Sequence, residues 1–371
     1  MLVPFPEELS MVRNGMHVAE SEEEKEAVYR FRYEVYVEEM GRYRGIADHA
    51  HRRFREPEDD TARIFYAASD GKVVATSRMN WGGDAPFTDR LIDHYRLEPF
   101  LAEIPPEAMA VGERGMVSTE LRGSPIFSEL GKKTSEFISE KRVQLIFGAC
   151  EPHLLSGYVS KGSRTFAAKN INSSESGYLI PIVNVVEDID YLRRIGSPAA
   201  ETARDWGDEK RIPECIERLL SDEGNVISQR LVDSGLYLGE VSHALEDLNE
   251  NQVSALEGLT NEEVIGVLDK SNIIHCEPGD HVIKKGGTAR NMFVLLEGHI
   301  EVRDDDSLLG VFSPGDVFGA MAFLLLLARP SEPSHRVREL QPAIGVAGPV
   351  KLQGQEHEFD NLVDKEAVGQ L

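Results

Sequence analysis

Ile64-Phe65-Tyr66-Ala67-Ala68-Ser69-Asp70-Gly71-Lys72-Val73-Val74-Ala75-Thr76 is an apolar run, a polar turn and a second apolar run. Asp-Gly between two such runs predicts a β-hairpin, because its residues tolerate the positive φ of a tight turn. Toward the N-terminus, Ser21-Glu22-Glu23-Glu24 is a capping box, and Val28, Phe31 and Val35 follow at spacings of three and four. This predicts an amphipathic helix over about residues 22–40. Toward the C-terminus, Gly82 to Pro106 holds four prolines and reads as a loop with a short helix inside it. Ala110 to Val117 then reads as a strand, Ile126 to Ile138 as a helix entered through Arg122-Gly123-Ser124-Pro125, and Val143 to Ala149 as a buried strand. Leu154 to Ser160 is a helical turn or two, and Tyr178 to Val186 another strand. This order makes an α/β or α+β domain over residues 15–195.

Beyond it the texture changes. Residues 199–249 are rich in Glu, Asp, Leu and Ala and read as a helical connector broken at Pro213, Gly224 and Gly235. From Cys276 onward, Pro278-Gly279-Asp280, Gly286-Gly287, Glu297-Gly298 and Pro314-Gly315-Asp316 punctuate short strands, which predicts a small antiparallel barrel or jelly roll over residues 250–348. Residues 349–371 read as a polar tail. The whole chain is therefore α+β, a mixed sheet with flanking helices followed by a connector and a β jelly roll.

Composition narrows the function. The chain has 371 residues and a formal net charge of −24, with 40 Lys+Arg against 64 Asp+Glu. Such a charge argues against nucleic acid as a partner, since that binding depends on Lys and Arg neutralising phosphates. The acid is uneven: residues 1–200 carry a net −7 and residues 201–371 a net −17. Cys150, Cys215 and Cys276 are far apart and odd in number, so neither a disulfide framework nor a zinc site is expected. The beginning MLVPFPEELS has no apolar core of a signal peptide, and Ala320 to Ala328 is less than half a membrane span. A soluble cytoplasmic protein without a transmembrane segment is the expectation. Gly131-Lys132-Lys133-Thr134 lacks the glycine a P-loop needs five residues earlier, and Asp304-Asp305-Asp306 lacks the Gly and Glu of a calcium loop.

Glu277-Pro278-Gly279-Asp280, Val282-Ile283, Met292-Phe293-Val294-Leu295-Leu296-Glu297-Gly298 and Pro314-Gly315-Asp316-Val317-Phe318-Gly319 resemble the cyclic-nucleotide-binding domain in order and spacing. In that family the segment after Phe-Gly supplies a Glu for the ribose hydroxyl and an Arg for the cyclic phosphate. Here, after Gly319, Ala320 stands at the Glu position, and the Arg position falls near Pro333, followed by Ser334. The resemblance thus implies a degenerate site, and a barrel kept for packing, dimer formation or relay.

The first domain resembles the GNAT superfamily, in its branch of long-chain N-acyl amino acid synthases and acyl-homoserine-lactone synthases. The resemblance is carried by Phe31-Arg32-Tyr33-Glu34-Val35-Tyr36-Val37-Glu38-Glu39-Met40, by Gly71 to Arg78, by Arg114-Gly115-Met116-Val117 and by Leu154 to Tyr158. It implies an N-acyltransferase with no bound cofactor that uses an acyl carrier protein or coenzyme A thioester as co-substrate and a small-molecule amine as acceptor. Acyl transfer needs a cradle for the donor arm, and Arg122, Gly123 and Ser124 sit at the glycine-rich turn that supplies it in GNAT folds. Pro125 and Phe127 occupy the two small positions of that turn, which favours a carrier-protein donor over the bulkier pyrophosphate of coenzyme A. Tyr158 stands where many GNAT enzymes keep a tyrosine near the leaving sulfur, and Glu113 is the candidate base, because the family's Glu position is Val111. Arg32 and Tyr36 share a helix face at i, i+4; the resemblance places that helix beside the acceptor and implies Arg32 as a clamp for an acceptor carboxylate. Arg78 and Arg114 lie on strands that read as buried, so each needs an anionic partner. Two rival readings stay open: a synthase using S-adenosylmethionine, echoed by Glu58-Asp59-Asp60, and a non-catalytic sensor or scaffold.

Overall fold

A computed structural model describes residues 12–167, 170–173, 175–202, 214–220, 226–228, 231, 237, 239, 271–276, 278–283, 292–304, 307–319, 343–347 and 350–353. It divides into two compact units, the first comprising residues 1–148, 184–188 and 203–219, the second the remainder.

In the first unit, β1 (Gly15–Val18), β2 (Arg63–Ser69), β3 (Lys72–Trp81), β4 (Met109–Val117) and β5 (Leu145–Cys150) lie side by side in that order. The pairs from β1 to β4 are antiparallel, whereas β4 and β5 are parallel. The expected hairpin is β2–β3, with Asp70 and Gly71 at φ +51° and +73°, as a two-residue turn of primed type requires. Between β3 and β4 the proline-rich stretch folds into α2 (Asp89–Tyr95) and α3 (Glu98–Leu101). The crossover from β4 to β5 is α4 (Ile126–Lys141).

Alternation along β2 divides the core. Ile64, Tyr66 and Ala68 face α1 (Glu22–Tyr33), burying Val28, Tyr29, Phe31 and Val35. Phe65 and Ala67 face the opposite side, where Leu130, Phe137 and Ile138 of α4 cover them. The capping box forms as expected: Glu24 N donates to Ser21 Oγ at 3.2 Å, and Ser21 N donates to Glu24 Oε2 at 3.1 Å. After Tyr33 the helix widens into a π-turn over Glu34–Glu39.

The second unit contains α5 (Leu155–Val159), β6 (Ser163–Thr165), β7 (Ile171–Ser173), β8 (Gly177–Val185) as far as Val183, and α6 (Ile189–Arg194). Eight short strands follow: β9 (Val226–Ser228), β10 (Asn272–Cys276), β11 (Phe293–Leu295), β12 (Ile300–Asp304), β13 (Ser307–Phe312), β14 (Val317–Phe318), β15 (Ala343–Ala347) and β16 (Val350–Gln353). They form two sheets, ordered β14-β11-β15-β10-β9 and β13-β12-β16. Leu155, Val159, Tyr178, Ile180 and Ile182 share one core with Ile274, Phe293, Leu295, Ile300 and Phe318. Gly298 and Gly315 take φ of +84° and +94° at the turns where the sequence places them. The pairs β9–β10, β11–β14 and β12–β13 are antiparallel as expected. β15 and β16 instead pair parallel with β10, β11 and β12. A tight hairpin cannot join a parallel pair, and β10, β11 and β12 are each separated along the chain from their parallel partners by other strands. The strand β16 falls inside the stretch read as a polar tail. The connector of residues 199–249 and the segment 254–270 lie mostly or wholly outside the described residues. Among those described, no helix is long and apolar enough to cross a membrane.

Candidate active site

A turn after α1 brings three acids into the first unit. Pro57 opens the short 3-10 turn Pro57–Asp60, and Glu56 N donates to Asp59 Oδ2 at 2.8 Å. Glu56, Glu58 and Asp59 are buried there. Buried carboxylates must be paired, and arginines from four elements meet them. Arg32 of α1 donates through Nη1 to Asp59 Oδ1 at 2.7 Å. Arg78 of β3 lies 3.2 Å from Asp59 and 3.0 Å from Glu56, and is ion-paired with Glu113. Arg114 of β4 grips both oxygens of Glu56 and donates to Tyr43 Oη at 2.8 Å. Arg90 of α2 donates to Glu58 and, through Nη2 at 2.9 Å, to Glu113. Four guanidinium groups thus balance four carboxylates.

Glu113 and Arg114 are neighbours in a strand, where side chains normally alternate between faces. Both reach this cluster because Arg114 has φ +56° and the register with β3 shifts between Thr76 and Arg78. This is a β-bulge, the device that re-aims a side chain beside a site. Bent inward, the Arg114 guanidinium lies 5.6 Å from the Tyr36 ring, 4.9 Å from Tyr43 and 5.6 Å from Phe54. Tyr36 itself belongs to the π-turn, a feature that often marks functional positions.

The charges set one another's proton affinity. Burial raises that of Glu113, but Arg78, Arg114 and Arg90 outweigh it and hold the carboxyl well below its ordinary range. Asp59 is lowered in the same way, burial being outweighed by Arg32 and Arg78. Tyr95 donates to Glu113 at 2.8 Å, and burial together with that carboxylate keeps the phenol protonated. His94, edge-on to Tyr95 at 4.9 Å, is lowered by burial while Glu113 acts in the other direction. Arg32 Nε, Arg32 Nη2 and Arg78 Nε are buried N–H groups with no hydrogen-bond partner among the described residues. They can hold an ordered water or an anionic group.

The structure therefore brings Arg32, Tyr36, Arg78, Glu113 and Arg114 into one cluster. Glu56, Glu58, Asp59, Arg90 and Tyr95 complete it. The available signals in the sequence were Pro57, a helix-start residue after Glu56, and the acidic run that follows. Arg122 lies apart from these pairs, ion-paired with Glu39 and donating through Nε to Val117 O at 3.2 Å. Gly123 follows at φ +85°, and Ser124 Oγ accepts from Ile126 N at 3.4 Å at the start of α4. A Cβ on Gly115 would lie 2.9 Å from Phe127 Cζ, so the ring edge rests on bare β4 backbone. Tyr158 lies on α5 of the second unit, partly buried against the core of Leu155 and Tyr178. Gly319 follows β14 at φ +79°, while Ala320 and Ser334 lie outside the described residues. Among the described residues, no group of three His, Cys, Asp or Glu could hold a metal ion.

The cyclic nucleotide-binding domain family model matches residues 273–338. Among solved structures, the chain is similar to FeeM, an N-acyl amino acid synthase from uncultured soil microbes. They share 14% identity over 51% of this chain and 98% of that one, with a TM-score of 0.40. BjaI, a CoA-dependent acyl-homoserine lactone synthase, is 16% identical over 52% of this chain and 99% of its own, with a TM-score of 0.37. MesI, another CoA-dependent acyl-homoserine lactone synthase, is 21% identical over 53% of this chain and 97% of its own, also with a TM-score of 0.37. No curated protein sequence matches.

Proposed function

We propose that this chain is a GNAT-type N-acyltransferase, moving a fatty acyl group from a carrier-protein or coenzyme A thioester to the amine of an amino acid or similar small molecule. The reading rests on one observation. Arg32 and Tyr36, from the helix that carries the family resemblance, converge with Arg78 and Arg114 in a single buried charge cluster. In such a transfer the neutral acceptor amine attacks the thioester carbonyl, the C–N bond forms, the C–S bond breaks to release a thiolate, and the proton the nitrogen sheds leaves to water. A cluster of fixed, opposed charges needs little reorganisation as charge develops, which is the largest electrostatic contribution an enzyme makes.

Within this reading Glu113 is a positioning residue. Its carboxylate is committed to Arg78, Arg90 and Tyr95, and a group held so far below neutrality is poorly matched to accept a proton at pH 7. Tyr158 is proposed, from the resemblance alone, as the proton donor to the thiolate. Arg122, Gly123 and Ser124 are proposed as the donor-arm turn. The barrel is proposed as a structural or regulatory module that has lost cyclic-nucleotide affinity, so calorimetry with cyclic AMP and cyclic GMP should give no isotherm at micromolar concentrations.

A synthase using S-adenosylmethionine is the second reading. It is favoured by the acidic turn after α1, since Glu56, Glu58 and Asp59 all enter the cluster. Incubating the protein with acyl donors and a pool of amino acids, with and without S-adenosylmethionine, distinguishes the two by mass spectrometry. New acyl-amides without methylthioadenosine support the first reading; lactone with methylthioadenosine supports the second. Neither product with any donor overturns both and leaves a non-catalytic scaffold.

A further inference from the structure

Large apolar side chains that solvent reaches are few among the described residues, and they are unevenly placed. Ile46 and Leu154 stand singly, as isolated apolar residues on a protein surface do without special cause. Leu308, Leu309 and Val311 are 52%, 49% and 49% exposed, and all three lie on one strand, β13. That strand is the edge of its sheet: the order is β13-β12-β16, and β12 is its one partner among the described residues. Phe312 ties its end to the core, the ring stacked 5.4 Å from Phe318. Val302 pairs with Gly310 and Arg303 with Leu308, so Leu309 is the extra residue of a bulge. Bulges, charged residues and proline are the devices that keep an edge from pairing with other strands. Here the bulge leaves both leucines half exposed, and Ser307 to Phe312 holds no charged residue and no proline.

We infer that β13 is a contact between two copies of this chain, pairing antiparallel with β13 of the second copy about a two-fold axis. An edge strand is recognised by another strand, through its backbone N–H and C=O groups. The formal charge of −24 sets copies of the chain against one another, and residues 201–371, which include the barrel, carry −17 of it. A strand without charge is where two such copies meet with no like charges opposed. The antiparallel arrangement also carries Asp304-Asp305-Asp306, which lead into β13, to opposite ends of the contact, whereas a parallel one would set the two acidic runs side by side. Two-fold symmetry makes the contact self-complementary, so one pairing covers both edges and leaves neither open to a third copy. The inference stands apart from the acyl-transfer reading and gives the barrel the task of joining two chains.

Sedimentation velocity of the full chain, from low to high micromolar concentration, tests this in wild type, Leu309→Lys and Val311→Lys. Wild type should sediment as a dimer at the high end. Each lysine replaces a half-exposed side chain, so the urea midpoint should hold, while the lost apolar contact and the like charges brought together should weaken association about tenfold. Amide hydrogen exchange over residues 307–312 reports the position of the contact and should slow in wild type as concentration rises. A wild type that stays monomeric overturns the inference, as does a dimer that both lysine variants leave intact. Protection of residues 307–312 that does not depend on concentration assigns the edge to another segment of the same chain and overturns it as well. If a lysine variant fails to fold, wild type still decides: dimer formation with concentration-dependent protection supports the contact, and either one without the other overturns it.

Discussion

Arg78 and Glu113 are register partners on adjacent antiparallel strands, and their side chains form an ion pair that is almost completely withdrawn from water. Cutting such a pair on one side leaves an uncompensated buried charge, which costs about 3–5 kcal/mol. Arg78→Met leaves four buried carboxylates to three arginines and weakens the hold on Glu56, Asp59 and Glu113, so the unfolding free energy from urea denaturation should fall by that amount. Replacing both partners restores the balance of charge, and Arg78→Met with Glu113→Leu should recover part of the loss. A double variant as unstable as the sum of the singles would mean the two groups are not coupled.

The same cluster fixes the direction of the pH response. Asp59 and Glu113 bind protons less readily when folded than when unfolded. Their contribution is present above the unfolded carboxyl range near pH 4 and is lost as pH falls through the folded values. His94 is also depressed, from an ordinary 6.5, by burial, with Arg90, Arg114 and Arg96 acting in the same direction and Glu113 against. Below about pH 6.5 the unfolded chain therefore takes up a proton that the folded chain refuses, and stability declines as pH falls. Urea midpoints at pH 7.5 and 5.5 should differ in wild type and differ less in His94→Gln. An unchanged difference would place the titration on another group.

What the sequence made legible follows from local rules. The Ser21 capping box, the Asp70-Gly71 turn and the alternation along β2 each depend on residues a few positions apart, and each forms as read. Burial of Arg78 was readable because an arginine in an apolar strand needs a partner. The partner itself was not, because Glu56 and Asp59 lie some twenty residues away in a charge-mixed loop with no periodicity. Arg90 was hidden in the same way, in a stretch whose prolines announce only a loop. The bulge at Arg114 leaves no trace either, since the positive φ falls on a residue with no preference for it.

Asn172 joins β7 to the Pro-Gly-Asp turn of the barrel inside the second unit. Its Nδ2 donates to Asp280 Oδ1 at 3.0 Å, and its Oδ1 accepts from His281 N at 3.1 Å. Removing both bonds leaves a buried Asp280 and a backbone N–H without those partners, a loss of about 1–3 kcal/mol. Asn172→Ala should lower stability by that amount, and amide hydrogen exchange should rise locally over residues 278–283. Exchange that rises evenly across the unit would show the contact to be part of its global cooperativity rather than a local clasp.

Phe127 stands at the entrance to α4, beside the turn proposed above to hold the donor arm, and its ring edge rests on Gly115 of β4. An aromatic ring there reduces the room for a pyrophosphate more than for the single phosphate of a carrier-protein arm. Phe127→Ala removes the ring without touching the charge cluster. Its ratio of kcat/KM with acyl-coenzyme A to that with the same acyl chain on carrier protein should rise above the wild-type value. The half-buried position of Phe127 limits the stability cost to the lower end of the range for a buried phenylalanine, below about 3 kcal/mol. A ratio unchanged in a folded variant would mean that the ring packs against β4 without shaping the donor site, and the preference for a carrier protein would lose its physical basis.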